Sequence, residues 1–231
     1  MDKSLDSIIY KDIKIVQPKK GFRFSVDSPL LFRFINEKKI FNNVLDIGSG
    51  SGVLSALIAK KYRVQHIDAV EINEVLYECL LDTIKFNKFD NLITPHNINI
   101  FDFKPSLNYD LIVCNPPYRK RDTGRVCKDE FENFARFDDL MPLDKLFSYV
   151  KSVLKNRGYF YISYDADLLV QPLYLGRKNN LEPKRMQFLY PAENKPARLV
   201  FIEFVKGAGV EIKIEPPIFQ NRSEFEKLLK E

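Results

Sequence analysis

The sequence has few of the residues that build metal sites, disulfide frameworks and membrane spans. Its 231 residues include three widely spaced cysteines, without a Cys-x-x-Cys pair, and only two histidines. This pattern supports neither a zinc site nor a disulfide framework, so we expect no metal. No run of about 18 uncharged apolar residues is present, which predicts a soluble protein without a membrane span. The amino-terminal residues lack the apolar segment of a signal peptide, so a cytoplasmic location is expected.

The balance of charges leaves the type of partner open. The net charge of +5, with 29% charged and 45% hydrophobic residues, is ordinary for a globular chain. Such a charge permits attraction to nucleic acid but does not require it.

The order of sequence patterns predicts the fold class. Short apolar runs alternate with helical patterns from Val44 to Leu175. Alternation of this kind predicts an α/β fold with a doubly wound, mostly parallel sheet. Two later runs, Leu199 to Val205 and Val210 to Ile214, are separated by a glycine-containing turn and predict a C-terminal antiparallel hairpin.

The first 40 residues predict a small extension. Residues Ile8 to Phe24 alternate apolar and polar side chains around Lys19-Lys20-Gly21, which is typical of a hairpin with its turn at that site. Asp27-Ser28-Pro29 then supplies a helix N-cap and a proline for the first helical position. We therefore predict a hairpin-helix extension over residues 1–40 and a main domain over residues 41–231.

A glycine loop follows the first predicted strand of the main domain. Gly48-Ser49-Gly50-Ser51-Gly52 lies between the strand-like run Val44 to Ile47 and the helix-like run Val53 to Ala59. Its glycines fall at every second position, so the Gly-x-Gly-x-x-Gly pattern of dinucleotide sites is not met. Glycines let a backbone pass close to a ligand, and Asp46 can attract an amine-bearing group.

A second acid completes the predicted cofactor site. Glu71 stands nineteen residues after Gly52, at the end of the next predicted strand, where a carboxylate can bind both hydroxyls of a ribose. Taken singly, the loop is more typical of a flexible loop and the acid of a solvated strand end. Together they favour a cofactor site, and S-adenosylmethionine is the cofactor that fits.

The tetrapeptide Asn115-Pro116-Pro117-Tyr118 is the most informative segment for chemistry. It follows the apolar run Asp110 to Cys114 and therefore lies at the carboxyl end of a buried strand, where α/β enzymes place their reacting groups. Two prolines stiffen the turn, which can hold an amide beside an aromatic ring. This arrangement suits a flat, amino-bearing substrate, although a plain strand-ending turn is the alternative.

A basic segment follows this turn. Residues 119–139 have no clear period and predict a long loop over the site. Five cations and one acid lie between positions 119 and 128, which predicts contact with RNA, the cations being Arg119, Lys120, Arg121, Arg125 and Lys128. Five acids between positions 129 and 139 favour the alternative of a solvated loop.

With these motifs the chain resembles the class I S-adenosylmethionine-dependent methyltransferases that carry an N-P-P-Y motif and methylate exocyclic amino or amide nitrogens. Three further segments are similar to the bacterial tRNA1(Val) adenine-N6 methyltransferases, namely residues 17–31, Ala135-Arg136, and residues 181–185 with Pro216-Pro217. The resemblance implies a Rossmann-like fold with a seven-stranded sheet, S-adenosylmethionine as the cofactor, tRNA as the partner, and a monomer.

The resemblance also implies a role for individual residues. Those expected to bind the cofactor are Asp46, Gly48, Ser49, Gly50, Glu71, Ile72, Asn99 and Ile100. Those expected to act in catalysis are Asn115, Pro116, Pro117 and Tyr118. Those expected to bind RNA are Arg119, Lys120, Arg121 and Arg136.

The chain departs from the family pattern at two positions. Where relatives have an aspartate for the cofactor adenine, this chain has Asn99, with Asp102 three residues later, and either side chain can make that contact. Where relatives have Ala-Arg-His-Glu, this chain has Phe137 in place of the histidine. No histidine base is therefore expected.

The implied activity is methyl transfer to N6 of an adenine in tRNA, at the nucleotide 3′ of the anticodon in a valine tRNA. One alternative is a methyltransferase acting on protein glutamine or on another nucleic-acid amino group, because an amide nitrogen presents the same two hydrogens. Relatives that modify glutamine usually carry an N-terminal helical domain, which this chain lacks. The other alternative is a nonenzymatic RNA-binding protein, which the presence of Asp46, Glu71 and Asn115 disfavours.

Overall fold

The computed structural model describes residues 3–8, 13–20, 26–35, 39–116 and 141–221. Its helices are α1 (Asp27–Phe34), α2 (Val53–Lys61), α3 (Glu74–Asn87), α4 (Leu143–Val153) and α5 (Val170–Lys178). Its first two strands are β1 (Lys3–Ile8) and β2 (Ile13–Pro18). The strands of its large sheet are β3 (Asn43–Ile47), β4 (His66–Val70), β5 (Ile93–His96), β6 (Tyr109–Cys114), β7 (Leu154–Asp165), β8 (Leu181–Tyr190), β9 (Leu199–Lys206), β10 (Lys213–Ile214) and β11 (Ile218–Phe219).

The large sheet has the predicted doubly wound topology. Its strand order is β10-β8-β9-β7-β6-β3-β4-β5, and β11 also pairs with β8. The strands from β5 to β7 in this order are parallel, whereas β9 runs antiparallel to both β7 and β8. The mostly parallel α/β fold is therefore confirmed. Within the described ranges the sheet has two short strands beyond the predicted seven.

The hydrophobic core lies on both faces of this sheet. Along β6, Leu111 and Val113 pack in the layer that contains α1 and α2, whereas Ile112 and Cys114 pack in the layer that contains α4. Central parallel strands are buried on both faces, which is why β6 has a continuous apolar run from Leu111 to Cys114. Among the described helices, none has the length and apolar character needed to cross a membrane.

The N-terminal hairpin is present, but its turn is not where the sequence predicted it. Lys3 pairs with Pro18 and Ile8 pairs with Ile13, so the connection is residues 9–12 and not Lys19-Lys20-Gly21. The prediction failed because β1, with the sequence Lys-Ser-Leu-Asp-Ser-Ile, contains too few apolar residues to signal a strand.

Helix α1 begins at Asp27, but this residue is not its N-cap. The cap position is Val26, which makes no side-chain hydrogen bond to the helix. Asp27 instead lies in the first turn, where a negative charge is favourable, and its carboxylate forms an ion pair with Arg198 at 2.9 Å.

The predicted hairpin of Leu199 to Val205 with Val210 to Ile214 is wrong. β9 pairs with β7 and β8, and β10 pairs in parallel with β8 at Arg185 and Met186. The antiparallel hairpin near the C-terminus is therefore β8 with β9. β8 was not predicted as a strand because Pro183 and its polar neighbours interrupt the alternation of apolar and polar residues.

Two further differences concern the segment boundaries. β7 begins at Leu154, directly after α4, so the predicted helix stop Asn156-Arg157-Gly158 lies inside a strand. Arg157 has a φ of 64°, and the register between β6 and β7 shifts beside it. The predicted loop over residues 119–139 and the predicted C-terminal capping box from Ser223 lie outside the described residues.

Candidate active site

Four adjacent parallel strands bring polar groups together at one edge of the sheet. β3 pairs with β4 and β6, and β6 pairs with β7, through the in-register residues Ile47, Val70, Cys114 and Ile162. The next residues along the four strands are Gly48, Glu71, Asn115 and Ser163. Ligands of open α/β sheets bind at this edge, so the glycine loop, the acid and the amide predicted from sequence share one site.

The glycine loop has a backbone that requires its glycines. Gly48, Gly50 and Gly52 have φ values of 66°, 56° and 86°, which side-chain-bearing residues rarely adopt. The N–H groups of Gly48 and Ser49 both donate to the Val70 carbonyl, at 2.9 and 3.0 Å. The loop is therefore fixed to the end of β4, beside Glu71.

The Glu71 carboxylate is held between the loop and helix α3. One of its oxygens accepts from the Gly50 N–H at 2.7 Å and the other from the Asn73 N–H at 2.8 Å. Asn73 also caps α3 by accepting from the Leu76 N–H, and the Asn97 side chain donates to the Glu71 carbonyl at 2.9 Å. Burial raises the pKa of Glu71. The backbone hydrogen bonds lower this pKa, but their effect is smaller than that of burial. Spacing found Glu71 but missed Asn73 and Asn97.

Asp46 is a fully buried carboxylate with one free oxygen. Its Oδ2 accepts from the Ser55 N–H at 3.0 Å and from the Ser55 hydroxyl at 2.6 Å. Its Oδ1 has no partner among the described residues, and the same is true of the buried Ser49 hydroxyl. Burial raises the pKa of Asp46 to about 7. Two unpartnered polar atoms at a glycine loop fit a polar, cationic ligand.

Residues after β4 and β5 contribute a mixed surface. Ile72 is 40% exposed beside Glu71, whereas Ile100 is buried. Asn99 is half-buried, and its side-chain oxygen accepts from the Phe101 N–H at 3.0 Å. Asp102 is exposed, and its N–H donates to the Asn99 carbonyl. The Asn99 side-chain oxygen therefore shapes the turn after β5.

Asn115 is held by two serines that the sequence did not assign to the site. Its Nδ2 donates to the Ser28 hydroxyl at 3.3 Å, and its Oδ1 accepts from the Ser163 hydroxyl. Ser28 lies in α1 and Ser163 in β7. Ser28 falls within the family-like residues 17–31, but nothing there indicates a contact with Asn115, and Ser163 carries no signal beyond its strand. Pro116 is buried. The other predicted site residues lie outside the described ranges, namely Pro117, Tyr118, Arg119, Lys120, Arg121 and Arg136.

A match to a family model agrees with this geometry. Residues 23–136 match the family described as "Methyltransferase small domain", and this range contains the glycine loop, Glu71 and Asn115. The match and the fold together define the class that the chain resembles, which is the S-adenosylmethionine-dependent methyltransferases.

Comparison with individual proteins shows which methyltransferases the chain is similar to. The tRNA1(Val) (adenine(37)-N6)-methyltransferase of Christiangramia forsetii is 25% identical over 232 residues, covering 96% of this chain and 95% of the relative. The enzyme with the same name from Flavobacterium psychrophilum is 30% identical over 153 residues, which is 64% of either chain. A solved methyltransferase structure from Pyrococcus furiosus has a TM-score of 0.63 at 20% identity, over 86% of this chain and 91% of that chain. The resemblance inferred from the sequence is confirmed.

Proposed function

We propose that this methyltransferase modifies N6 of an adenine in tRNA, at the nucleotide 3′ of the anticodon in a valine tRNA. The observation that carries the proposal is the position of the Asn115 amide beside the cofactor loop. Cys114 and Ile47 are paired residues on adjacent parallel strands. The next residues, Asn115 and Gly48, therefore lie side by side at the edge of the sheet. The curated names of the relatives support the choice of tRNA and nucleotide.

The cofactor-binding residues have complementary chemistry for S-adenosylmethionine, which supplies a methyl group on a cationic sulfur. Glu71 accepts hydrogen bonds from the ribose hydroxyls, and the free Oδ1 of Asp46 attracts the amine of the methionine part. The loop backbone of Gly48, Ser49 and Gly50 passes close to the ligand. Ile72, Asn99 and Ile100 form the adenine side of the site.

The Asn115 turn handles the acceptor nitrogen. An adenine amino group is a poor nucleophile because its lone pair is delocalised into the ring. The Asn115 side-chain oxygen and the Pro116 carbonyl accept its two hydrogens and aim the lone pair at the methyl carbon. The bound cofactor would supply the methyl group from its cationic sulfur, and the Asn115 turn would hold the acceptor nitrogen toward it while one amino proton passes to water. Tyr118 stacks on the base, with Pro117 stiffening the turn.

The segment after the turn is assigned to the RNA. Arg119, Lys120, Arg121 and Arg136 contact phosphates of the anticodon stem and loop, whose bases are already partly unstacked. The enzyme acts as a monomer in the cytoplasm, where its tRNA substrate is found.

Incubation with methyl-labelled cofactor tests the assignment. Unmodified total tRNA should take up label and total protein should not, and mass spectrometry of nuclease digests should place the methyl group on N6 of the adenine 3′ of a valine anticodon. Asn115→Ala should bind the cofactor but lose about 10²-fold in turnover, as expected for loss of a positioned polar group. Preferential labelling of protein glutamine, ribosomal RNA or DNA would overturn the substrate while leaving the class intact.

A further inference from the structure

The orientation of the Asn115 side chain is a chemical requirement of the proposed function. A carboxamide is flat, with an acceptor oxygen at one end and a donor nitrogen at the other. A half-turn about its last bond would present N–H groups to the adenine amino group and so repel it. Something must therefore hold the oxygen toward the acceptor nitrogen.

Ser163 is placed to fix the oxygen end. Its side chain is fully buried, and its backbone lies in β7, where Ser163 pairs with Phe201 of β9. The Ser163 hydroxyl donates to the Asn115 Oδ1. An amide oxygen has two lone pairs, so one stays available for an amino hydrogen of the base.

Ser28 is placed to fix the nitrogen end. Its hydroxyl accepts from the Asn115 Nδ2 at 3.3 Å, across 87 positions of sequence. Because one hydroxyl contacts Nδ2 and the other contacts Oδ1, the two serines hold both ends of the amide and so fix its position and its plane. The two serines are supplied by separate elements, α1 and β7.

Helix α1 is itself anchored at both ends, so Ser28 has a defined position. At its start, the Asp27 carboxylate binds the Arg198 guanidinium at 2.9 Å. At its end, the Phe34 carbonyl accepts from Arg185, whose guanidinium also lies 4.3 Å from the centre of the Phe34 ring. Arg185 is in turn ion-paired to Glu203 at 3.3 Å.

We propose that Ser163 and Ser28 are positioning residues that set the Asn115 amide for methyl transfer, so that α1 of the N-terminal extension is part of the active site. This proposal rests on the proposed function, because it concerns the same amide. The serines act through Asn115, to which both hydroxyls are hydrogen-bonded.

Single-turnover kinetics of Ser163→Ala and Ser28→Ala test the assignment. Each variant should lose about 3- to 10-fold in turnover, the scale of one hydrogen bond, while its affinity for S-adenosylmethionine stays within about twofold of wild type. Ser28→Thr, which keeps the hydroxyl, should restore most of the loss. Ser148→Ala is the matched control, because it removes a serine bond to the Asn179 side-chain oxygen outside this site. Wild-type turnover in both alanine variants would overturn the proposal.

A double-variant comparison separates positioning from a general loss of packing. In the Asn115→Ala background, Ser163→Ala should cause no further loss, because the amide it orients is gone. An equal loss in both backgrounds would refute the positioning role.

A readout without tRNA separates this proposal from the proposed function. The Asn115 side-chain amide signal, assigned by its absence in Asn115→Ala, should exchange with water faster in Ser28→Ala. Unchanged exchange would refute the Ser28 contact. Slow wild-type exchange in an enzyme that does not methylate tRNA would instead refute only the substrate assignment.

Discussion

The buried carboxylate of Asp46 makes the stability of the unliganded protein depend on pH. Burial raises the pKa of this group from its ordinary value near 3.8 to about 7. The folded state therefore holds a proton that the unfolded state has already released between these two values. Consequently the free energy of unfolding should fall as the pH rises from about 4 to about 7, and stay low above that.

The substitution Asp46→Asn removes this dependence. An asparagine keeps an oxygen that can accept from the Ser55 N–H and hydroxyl, but it carries no charge. The pKa difference of about three units corresponds to about 4 kcal/mol at 1.36 kcal/mol per unit, an upper limit for the gain at pH 8. At 2–4 °C per kcal/mol, the melting temperature at pH 8 should rise by several degrees.

Urea unfolding of the unliganded variant and wild type at pH 5, 6, 7 and 8 measures the effect. The advantage of the variant should grow with each pH unit up to about 7. Asp110→Asn is the control of opposite sign: burial alone would raise the pKa of Asp110, but hydrogen bonds from Lys155 and the Asn43 N–H lower it. Asp110 therefore stabilises the fold above about pH 4, and its variant should lose stability at pH 8. An Asp46→Asn advantage that is absent, or equal at every pH, would refute the reasoning.

Three further outcomes are expected. The affinity for S-adenosylmethionine should fall about tenfold per unit below pH 7, because Asp46 must lose its proton to face a cation, and calorimetry of Asp46→Asn should show no such slope. Glu71→Gln should weaken cofactor binding by a factor of ten or more in the same assay, since one oxygen that Gly50 and Asn73 hold in place becomes a donor. Gly52→Ala should destabilise the protein by about 1–3 kcal/mol in urea unfolding, because its φ is 86° and the new methyl carbon would lie 2.6 Å from Leu80. A Gly52→Ala variant as stable as wild type would contradict the described loop.

The features that sequence predicted well are those whose signal is local. β3 and β6 are buried on both faces and so contain short, mostly apolar runs, and the glycine loop needs its residues for their backbone angles. These features predicted that the glycine loop, the acid and the amide lie at one edge of the sheet, because parallel strands end at the same edge. The sequence therefore placed Asp46, Glu71 and Asn115 near one edge of the sheet without any knowledge of their contacts.

The features that sequence missed depend on partners distant in the chain. Ser28 and Ser163 meet at Asn115 because α1 packs against β7, where the Phe34 and Tyr161 rings are in contact, and the local sequence of neither segment indicates this. β8 becomes a strand because β9 pairs along most of its length, which outweighs its weak local pattern. The C-terminal hairpin was misassigned for the same reason.

The N-terminal extension, residues 1–40, shares one hydrophobic core with the main domain. On β2, the Val16 N–H donates to the Thr83 hydroxyl at 3.0 Å, and Lys14 exchanges backbone hydrogen bonds with the Asn87 side chain, so α3 satisfies the outer edge of the hairpin. The buried side chains of β2 and α1 belong to the same apolar cluster as those of α2 and β3. Separating residues 1–40 would expose both this edge and this cluster, at a cost that an independent 40-residue unit has little core to offset. We therefore propose that the extension folds with the methyltransferase domain, and that α1 reaches Asn115 because the two share one hydrophobic core.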